Sequence, residues 1–417
     1  MTIHVTHFTP HVSTGIGKSL SSLAIGAKKY DPEISHEIVV LGRQLPEYKF
    51  FWDRCERHGV PISEGHTPSE LNEKIIQSDI VQIEWYHHPL SFKFIHNLPK
   101  FPMRLVMWYH INGCNHPWLN PGLVDIPSKF VGTGKYMYDN PHWTESQRDH
   151  IKQNVPLVNS SGGYNGFDAP LQPQHEGFNV GYYGTLDYAK LSPKFVEYCC
   201  AVADLPGIRF VMVGPLDGSE HLKRDIKDYG LEDKFVFKGF VQHPELELAQ
   251  FDIGAYLLND YVFNTTENAL LEQMAMGVPV ITFDQCSEHY IITDGVGIKI
   301  KTKRDFMNAV KSLYQSRAYC KELGNNASKY VRSTFTCENM VRGLHSVYRE
   351  ILHQPAKMMD FNSVIGKTPH EWFGSCLAPV GDAMNHIVME SHAKQSLNQF
   401  MGFFPEDQEL KGFNHGT

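Results

Sequence analysis

The spacing of apolar and polar residues reads as short strands alternating with amphipathic helices. Residues 3–8 alternate apolar and polar positions and read as a first strand, ended by Pro10. A loop with Ser13, Thr14, Gly15 and Gly17 follows, then a helix over about residues 18–29 and a strand at 36–41. Strand-like runs recur at 80–85, 105–110 and 130–133. Residues 155–168, VPLVNSSGGYNGFD, are polar and rich in turn formers, and mark the best domain boundary. Beyond it come apolar runs at 179–184, 208–214, 235–240 and 251–258, with a helix through 223–229. In NTTENALLEQMAMGVPVITF, residues 264–283, helical spacing puts Leu270, Leu271, Met274 and Ala275 on one face. Gly277 stops that helix, Pro279 cannot continue it, and 278–283 reads as a buried parallel strand. Residues 295–301 form an edge element, and 304–319, 322–334 and 339–352 read as helices. Strands alternating with helices at this density predict an α/β protein with doubly wound parallel sheets.

With 417 residues, the chain is too long for one core and suits two domains. Its 42% hydrophobic and 20% charged residues are ordinary for a globular protein, and a net charge of −8 argues against a sequence-independent nucleic-acid binder. No apolar run reaches the length of about 18 residues that would span a membrane. The opening MTIHVTHFTP lacks the basic start and apolar core of a secretory signal. The eight cysteines show no CxxC or metal spacing and read as cytosolic thiols, so the sequons at Asn159, Asn264 and Asn326 are chance matches. Aromatic residues, at 12%, suit both a carbohydrate-handling protein and a large core.

The polar loop before residue 269 feeds a helix N-terminus, whose unpaired N–H groups and positive dipole end favour phosphate. Glu272, in the second turn, is placed to reach back toward whatever the loop holds. In the first glycine loop, Gly17-Lys18-Ser19 looks like the end of a triphosphate-binding loop, but the glycine that motif needs at position 12 is Val12. Gly15-x-Gly17 begins a dinucleotide fingerprint, but its third glycine would be Leu20. Both readings fail, and turn glycines remain an alternative. His110 ends a strand at the carboxyl edge, where open α/β sheets bind ligands. His87, His88, His110 and His116 share no single helical face and there is no HExxH, so no metal site is expected.

These motifs, in this order, resemble the retaining glycosyltransferases of family 4, in the group 1 transferases with the GT-B fold. That family carries Glu, seven residues, Glu, then Gly-x-Pro-Val. Glu272 falls on the second Glu and Gly277-Val278-Pro279-Val280 on the tail, while the position of the first Glu is Asn264. Asn165-Gly166-Phe167-Asp168 resembles the interdomain Asn-Gly-Val/Ile-Asp. Gly184-Thr185-Leu186 with Lys190 resembles Gly-Arg-Leu followed by Lys, with Thr185 replacing a cation. The resemblance implies two Rossmann-like domains facing a central cleft: residues 1–165 on the acceptor side, 166–338 for the donor, a helix at 339–352 crossing back, and an extension at 353–417.

It further implies transfer of a sugar from a nucleoside-diphosphate sugar to a glycan, lipid-linked or other glycoconjugate acceptor, with retention and no required cofactor or metal. By the same resemblance, Lys190 and N–H groups around Thr265, Thr266 and Asn268 stabilise the diphosphate, and Glu272 holds the ribose. Gly15 and Gly17 lie near the donor phosphates, Gly184 and Thr185 belong to the donor loop, and Phe240 and Val241 meet the base through backbone. His110, Asn264, Thr265 and Glu267 are the candidates to meet the sugar. Alternative readings are a weak or inactive relative that binds nucleotide or glycan, and a sugar-nucleotide epimerase. The expected setting is cytoplasmic, with a possible peripheral association at the inner membrane face. The tail carries Trp372-Phe373 and Phe403-Phe404, is not basic, and predicts one helix over about 382–400, most simply as a packed accessory segment.

Overall fold

A computed structural model describes residues 2–44, 49–164, 167, 175–263, 265–377 and 396–413. The chain divides into two compact units. One comprises Met1–Gly163, Phe263–Thr266 and Cys337–Thr417; the other comprises Tyr164–Val262 and Glu267–Thr336. Asn165, Gly166 and Asp168 of the junction motif lie outside the described residues.

The first unit is built on six parallel strands: β1 Ile3–Thr9, β2 Ile34–Val40, β3 Ile62–Glu64, β4 Ile80–Trp85, β5 Leu105–Tyr109 and β6 Lys129–Gly132. Their spatial order is β3-β2-β1-β4-β5-β6, so the direction of winding reverses between β1 and β4. The central strands are covered on both faces. Every residue of β4 and β5 is buried, including Gln82 and Glu84, and β1 buries Thr6 and His7 as deeply as Val5 and Phe8. Polar residues at such positions must find partners inside the protein, because an unpaired buried group loses its hydration with nothing in return.

Helix Cys337–Leu352 belongs to this unit. Its apolar stripe (Met340, Val341, Leu344, Val347, Tyr348 and Ile351) shares a core with Leu20, Leu23 and Ala27 of helix Thr14–Tyr30. The later tail packs on the same unit: Trp372, Phe373, Phe400 and Phe404 join Phe92, Phe94 and Ile95 in one cluster. The rings of Phe92 and Trp372 stack at 6.0 Å. Of the stretch expected as one helix over 382–400, residues 382–395 lie outside the described set, and the described helix is Leu397–Phe403.

The second unit repeats the plan with β7 Phe178–Tyr183, β8 Ile208–Val213, β9 Phe235–Gly239, β10 Ile253–Tyr256, β11 Val280–Phe283 and β12 Ile298–Ile300. The order β12-β11-β10-β7-β8-β9 again reverses once, between β7 and β10. Helix Asn268–Ala275 leads from β10 toward β11, and its Leu270, Leu271, Met274 and Ala275 are all buried.

Two local expectations need correction. Gly15 and Gly17 do not form a loop, since the helix starts at Thr14. Gly17 is needed for space: a Cβ there would lie 1.8 Å from the Val12 carbonyl oxygen. The helix expected over 304–319 ends at Gln315, and the next starts at Arg317. Ser316 adopts extended backbone and its hydroxyl accepts from the Tyr319 N–H, a local cap that breaks the helical run where hydrophobic spacing alone carries on.

Candidate active site

In the second unit, the carboxyl ends of β7, β8 and β9 are joined by glycines. The Gly184 N–H donates to the Val213 carbonyl at 2.9 Å, and the Gly214 N–H to the Gly239 carbonyl at 3.0 Å. Gly184 and Gly214 have φ of 151° and 155°, and a Cβ on Gly214 would meet the Gly184 carbonyl oxygen at 1.8 Å. A side chain is thus excluded at Gly214, and the strand ends are joined through backbone alone. Thr185 is exposed beside it, and its carbonyl accepts from the Tyr182 hydroxyl at 2.9 Å. Phe240 follows Gly239 and is 74% exposed, while Val241 is half-buried.

Next to this edge stands a charged cluster. Lys190 sits at the end of a turn in which its N–H reaches the Asp187 carbonyl at 3.2 Å. Its Nζ lies 3.3 Å from Glu267 Oε2 and 5.7 Å from the centre of the Tyr256 ring. Glu267, buried just before helix Asn268–Ala275, also accepts from the Tyr256 hydroxyl at 2.6 Å. Its second oxygen, Oε1, is buried without a hydrogen-bond partner among the described residues. Burial, reinforced by the Glu267 charge, raises the Glu288 carboxyl well above the usual carboxylate range, with the Lys190 charge opposing. Burial also raises the Asp187 carboxyl, although the N–H groups of Lys190 and Ala189 hold it back. Glu272 is buried in the second helical turn, and Tyr183, at the end of β7, is raised by burial and by the charge and hydrogen bond of Glu272.

In the first unit, His110 follows β5 directly. Its N–H donates to the Trp85 carbonyl at 2.8 Å, and its Nε2 lies 2.7 Å from Glu84 Oε2. Burial pushes the Glu84 carboxyl up, but hydrogen bonds from His110 and His7 outweigh it and hold the group down at about 2. Thr265 and Thr266, counted with this unit, are fixed on Thr133: the Thr265 and Thr133 hydroxyls are 2.5 Å apart, and the Thr266 hydroxyl donates to the Thr133 carbonyl at 3.2 Å. Asn264 lies outside the described residues.

Within the second unit, the structure therefore brings together Lys190 and Glu267, with Glu272 and Asn268 on the adjoining helix. Within the first, the Thr265 hydroxyl lies 3.5 Å from the His110 carbonyl, while Thr266 is held on Thr133. Gly15 is exposed in the first turn of its helix and Gly17 is buried in it. Tyr256, Glu84 and Glu288 escaped the sequence reading. Each is a polar group within or beside an apolar run, which marks it as needing a partner without naming one. Among the described residues no group of His, Cys, Asp and Glu is placed to hold a metal ion, and no helix is long and apolar enough to cross a membrane.

Residues 177–316, the span that carries the Lys190–Glu267 cluster, match the family model of the glycosyl transferases group 1. No curated protein matches this chain by sequence. Among solved structures, a glycosyltransferase from Rickettsia africae ESF-5 aligns with a TM-score of 0.66 at 14% identity, over 85% of this chain and 99% of that one. Anabaena Alr3699/HepE in complex with UDP-glucose aligns with a TM-score of 0.65 at 13% identity, over 84% of this chain and all of the other. TarM aligns with a TM-score of 0.64 at 12% identity, over 84% and 99%. The fold is that of the GT-B glycosyltransferases: α/β, with two parallel six-stranded sheets flanked by helices.

Proposed function

We propose that the chain is a retaining glycosyltransferase of family 4 that moves a sugar from a nucleoside-diphosphate sugar to a glycan, lipid-linked or other glycoconjugate acceptor. The observation that carries this reading is the coincidence of the group 1 match with a Gly-lined strand edge and a lysine held beside it. A departing diphosphate gathers negative charge, and a preorganised cation with helix N–H donors is what lowers that barrier. Lys190 supplies the cation and the start of helix Asn268–Ala275 the donors. Glu272 holds the ribose, Phe240 and Val241 the base, and His110, Thr265 and Glu267 the sugar. The chemistry assigns no step to a metal.

The uracil base is favoured, since Alr3699/HepE is described in complex with UDP and UDP-glucose. The setting we propose is cytoplasmic, with the acceptor at the inner membrane face; no disulfide joins any of the eight cysteines.

The test is a thermal shift of the purified protein against UDP, GDP, ADP, CMP and their sugar conjugates, with and without EDTA. A ligand confined to the folded state adds about 2.7 kcal/mol at a hundredfold excess over its Kd. A rise with UDP or UDP-sugar, indifferent to EDTA, supports the reading, and the product's anomeric configuration by NMR then decides retention. No shift with any nucleotide would remove the donor site and leave a non-catalytic binder as the better account.

A further inference from the structure

Behind His110, the first unit contains a row of buried titratable side chains that the transfer chemistry does not use. It runs across adjacent strands in the order β2, β1, β4 and the end of β5. His110 Nε2 bonds Glu84 Oε2 at 2.7 Å, and Glu84 Oε1 bonds His7 Nδ1 at 2.7 Å. His7 Nε2 bonds His36 Nδ1 at 2.7 Å, and His36 Nε2 bonds His345 Nε2 at 2.9 Å. His345 Nδ1 ends the row on Asp31 Oδ2 at 3.0 Å, where Arg349 also pairs with Asp31 at 2.7 Å. His7, His36, Glu84 and His345 are all buried, and Asp31 and Arg349 reach solvent.

Counting protons fixes the states. Each hydrogen bond needs one proton. The four bonds from Asp31 through three imidazoles to Glu84 need four, and three neutral imidazoles bring three. Both ends are carboxylates: Asp31 is held at about 2, chiefly by Arg349, and Glu84 at about 2. The row therefore holds one proton beyond the neutral set. Burial works against a charge on His36 and on His345, and the extra proton is shared along the row. Other polar groups facing the row are Gln82, which donates to Glu84 Oε1 at 2.8 Å, and Tyr348, which donates to Gln82 at 2.5 Å. His4, paired with Glu37 at 3.5 Å beside Lys74, also faces His36, and Glu33 pairs with Arg349 at 3.1 Å.

We propose that Glu84 is a positioning residue that holds His110 in the Nε2–H tautomer, leaving Nδ1 to accept a hydrogen bond from a ligand hydroxyl, and that the His7–His36–His345 row behind it stores one buried proton that keeps Glu84 charged and in place. The effect on turnover rests on the assignment of His110 to the transferred sugar, whereas the tautomer and the stored proton do not.

The experiment is ¹⁵N–¹H long-range correlation NMR of the full chain labelled at histidine, at pH 7, with His110 assigned by the peak lost in His110→Gln. The expected result is a protonated Nε2 and a bare Nδ1 on His110, with one imidazolium equivalent shared among His7, His36 and His345. In Glu84→Gln, the His110 tautomer becomes mixed, and kcat falls about 10- to 100-fold while the donor KM stays within about twofold. His36→Asn serves where Glu84→Gln does not fold, and removes the imidazolium signal. A protonated Nδ1 on wild-type His110, three neutral imidazoles, or an unchanged tautomer in Glu84→Gln would overturn the proposal. Failure of every nucleotide to raise the melting temperature would instead sink the donor reading and leave the NMR result standing.

Discussion

Lys190 is bound to Glu267 before any ligand arrives, so two roles must be separated: partner of a buried carboxylate, and cation for the donor. The perturbation is Lys190→Met, alone and combined with Glu267→Gln. At 3.3 Å the attraction between the two charges is about 5 kcal/mol for an effective dielectric constant near 20. Lys190 is 21% exposed, so screening and the flexibility of its stem reduce the net value. Losing the lysine still leaves Glu267 buried with, among the described residues, only the Tyr256 hydroxyl on its carboxylate, and breaking such a pair costs about 3 kcal/mol. Glu267→Gln alone removes the buried charge and costs about 1–2 kcal/mol. The double variant is then little worse than Glu267→Gln, giving a coupling of about 2 kcal/mol.

Urea unfolding of the four proteins at constant m measures this directly. Additive losses within about 0.5 kcal/mol would show that the two charges do not sense each other, and the description of the cluster would be wrong. Activity reads the second role. If Lys190 also stabilises the leaving diphosphate, Lys190→Met lowers kcat by about 10²–10³, the scale of one lost transition-state donor. That loss persists in the Glu267→Gln background. If it vanishes there, Lys190 acts only through Glu267 and is not a donor contact.

Three further expectations follow from the packing and the buried histidines. His36, His87 and His345 are pushed below their ordinary range by burial. The unfolded chain therefore takes up protons near pH 6.5 that the folded chain refuses, and stability falls as pH drops below that point, by about 1.4 kcal/mol per pH unit for each excluded proton; a urea midpoint unchanged from pH 8 to 5.5 would contradict this. Gly214→Ala puts a Cβ 1.8 Å from the Gly184 carbonyl at a φ of 155°, so it loses about 3 kcal/mol and weakens nucleotide binding, as differential scanning calorimetry and titration calorimetry would show. Phe400→Ala empties a fully buried position between Phe92 and Phe373 and costs about 3–5 kcal/mol in urea unfolding; a loss under about 1 kcal/mol would mean the tail is not part of the core.

The alternation of strands and helices was legible because parallel strands buried on both faces are nearly continuous apolar runs, and because Gly277 and Pro279 punctuate the helix before β11. The start of helix Thr14–Tyr30 was not, because Gly15 and Gly17 signal a turn by composition, while the close approach to Val12 that fixes Gly17 is a property of the folded backbone. Lys190 and Glu267 could each be named from motif spacing. Their pairing could not, since it depends on the strand order β10-β7, which sets residues far apart in sequence side by side.

Glu84 carries the same lesson furthest. IVQIEW reads as a buried strand, and two polar residues in it announce that partners exist. Those partners come from β1, from the residue after β5 and, through His36, from a helix more than 250 residues away. No local pattern connects His7, His36 and His345. Each is a histidine in a half-apolar element, and taken singly each is most simply a satisfied core residue. Only the order β2-β1-β4-β5, with helix Cys337–Leu352 packed in the same core, turns them into one hydrogen-bonded row. The proton that the row must hold then follows from counting its bonds, a quantity that belongs to the fold and to none of its residues alone.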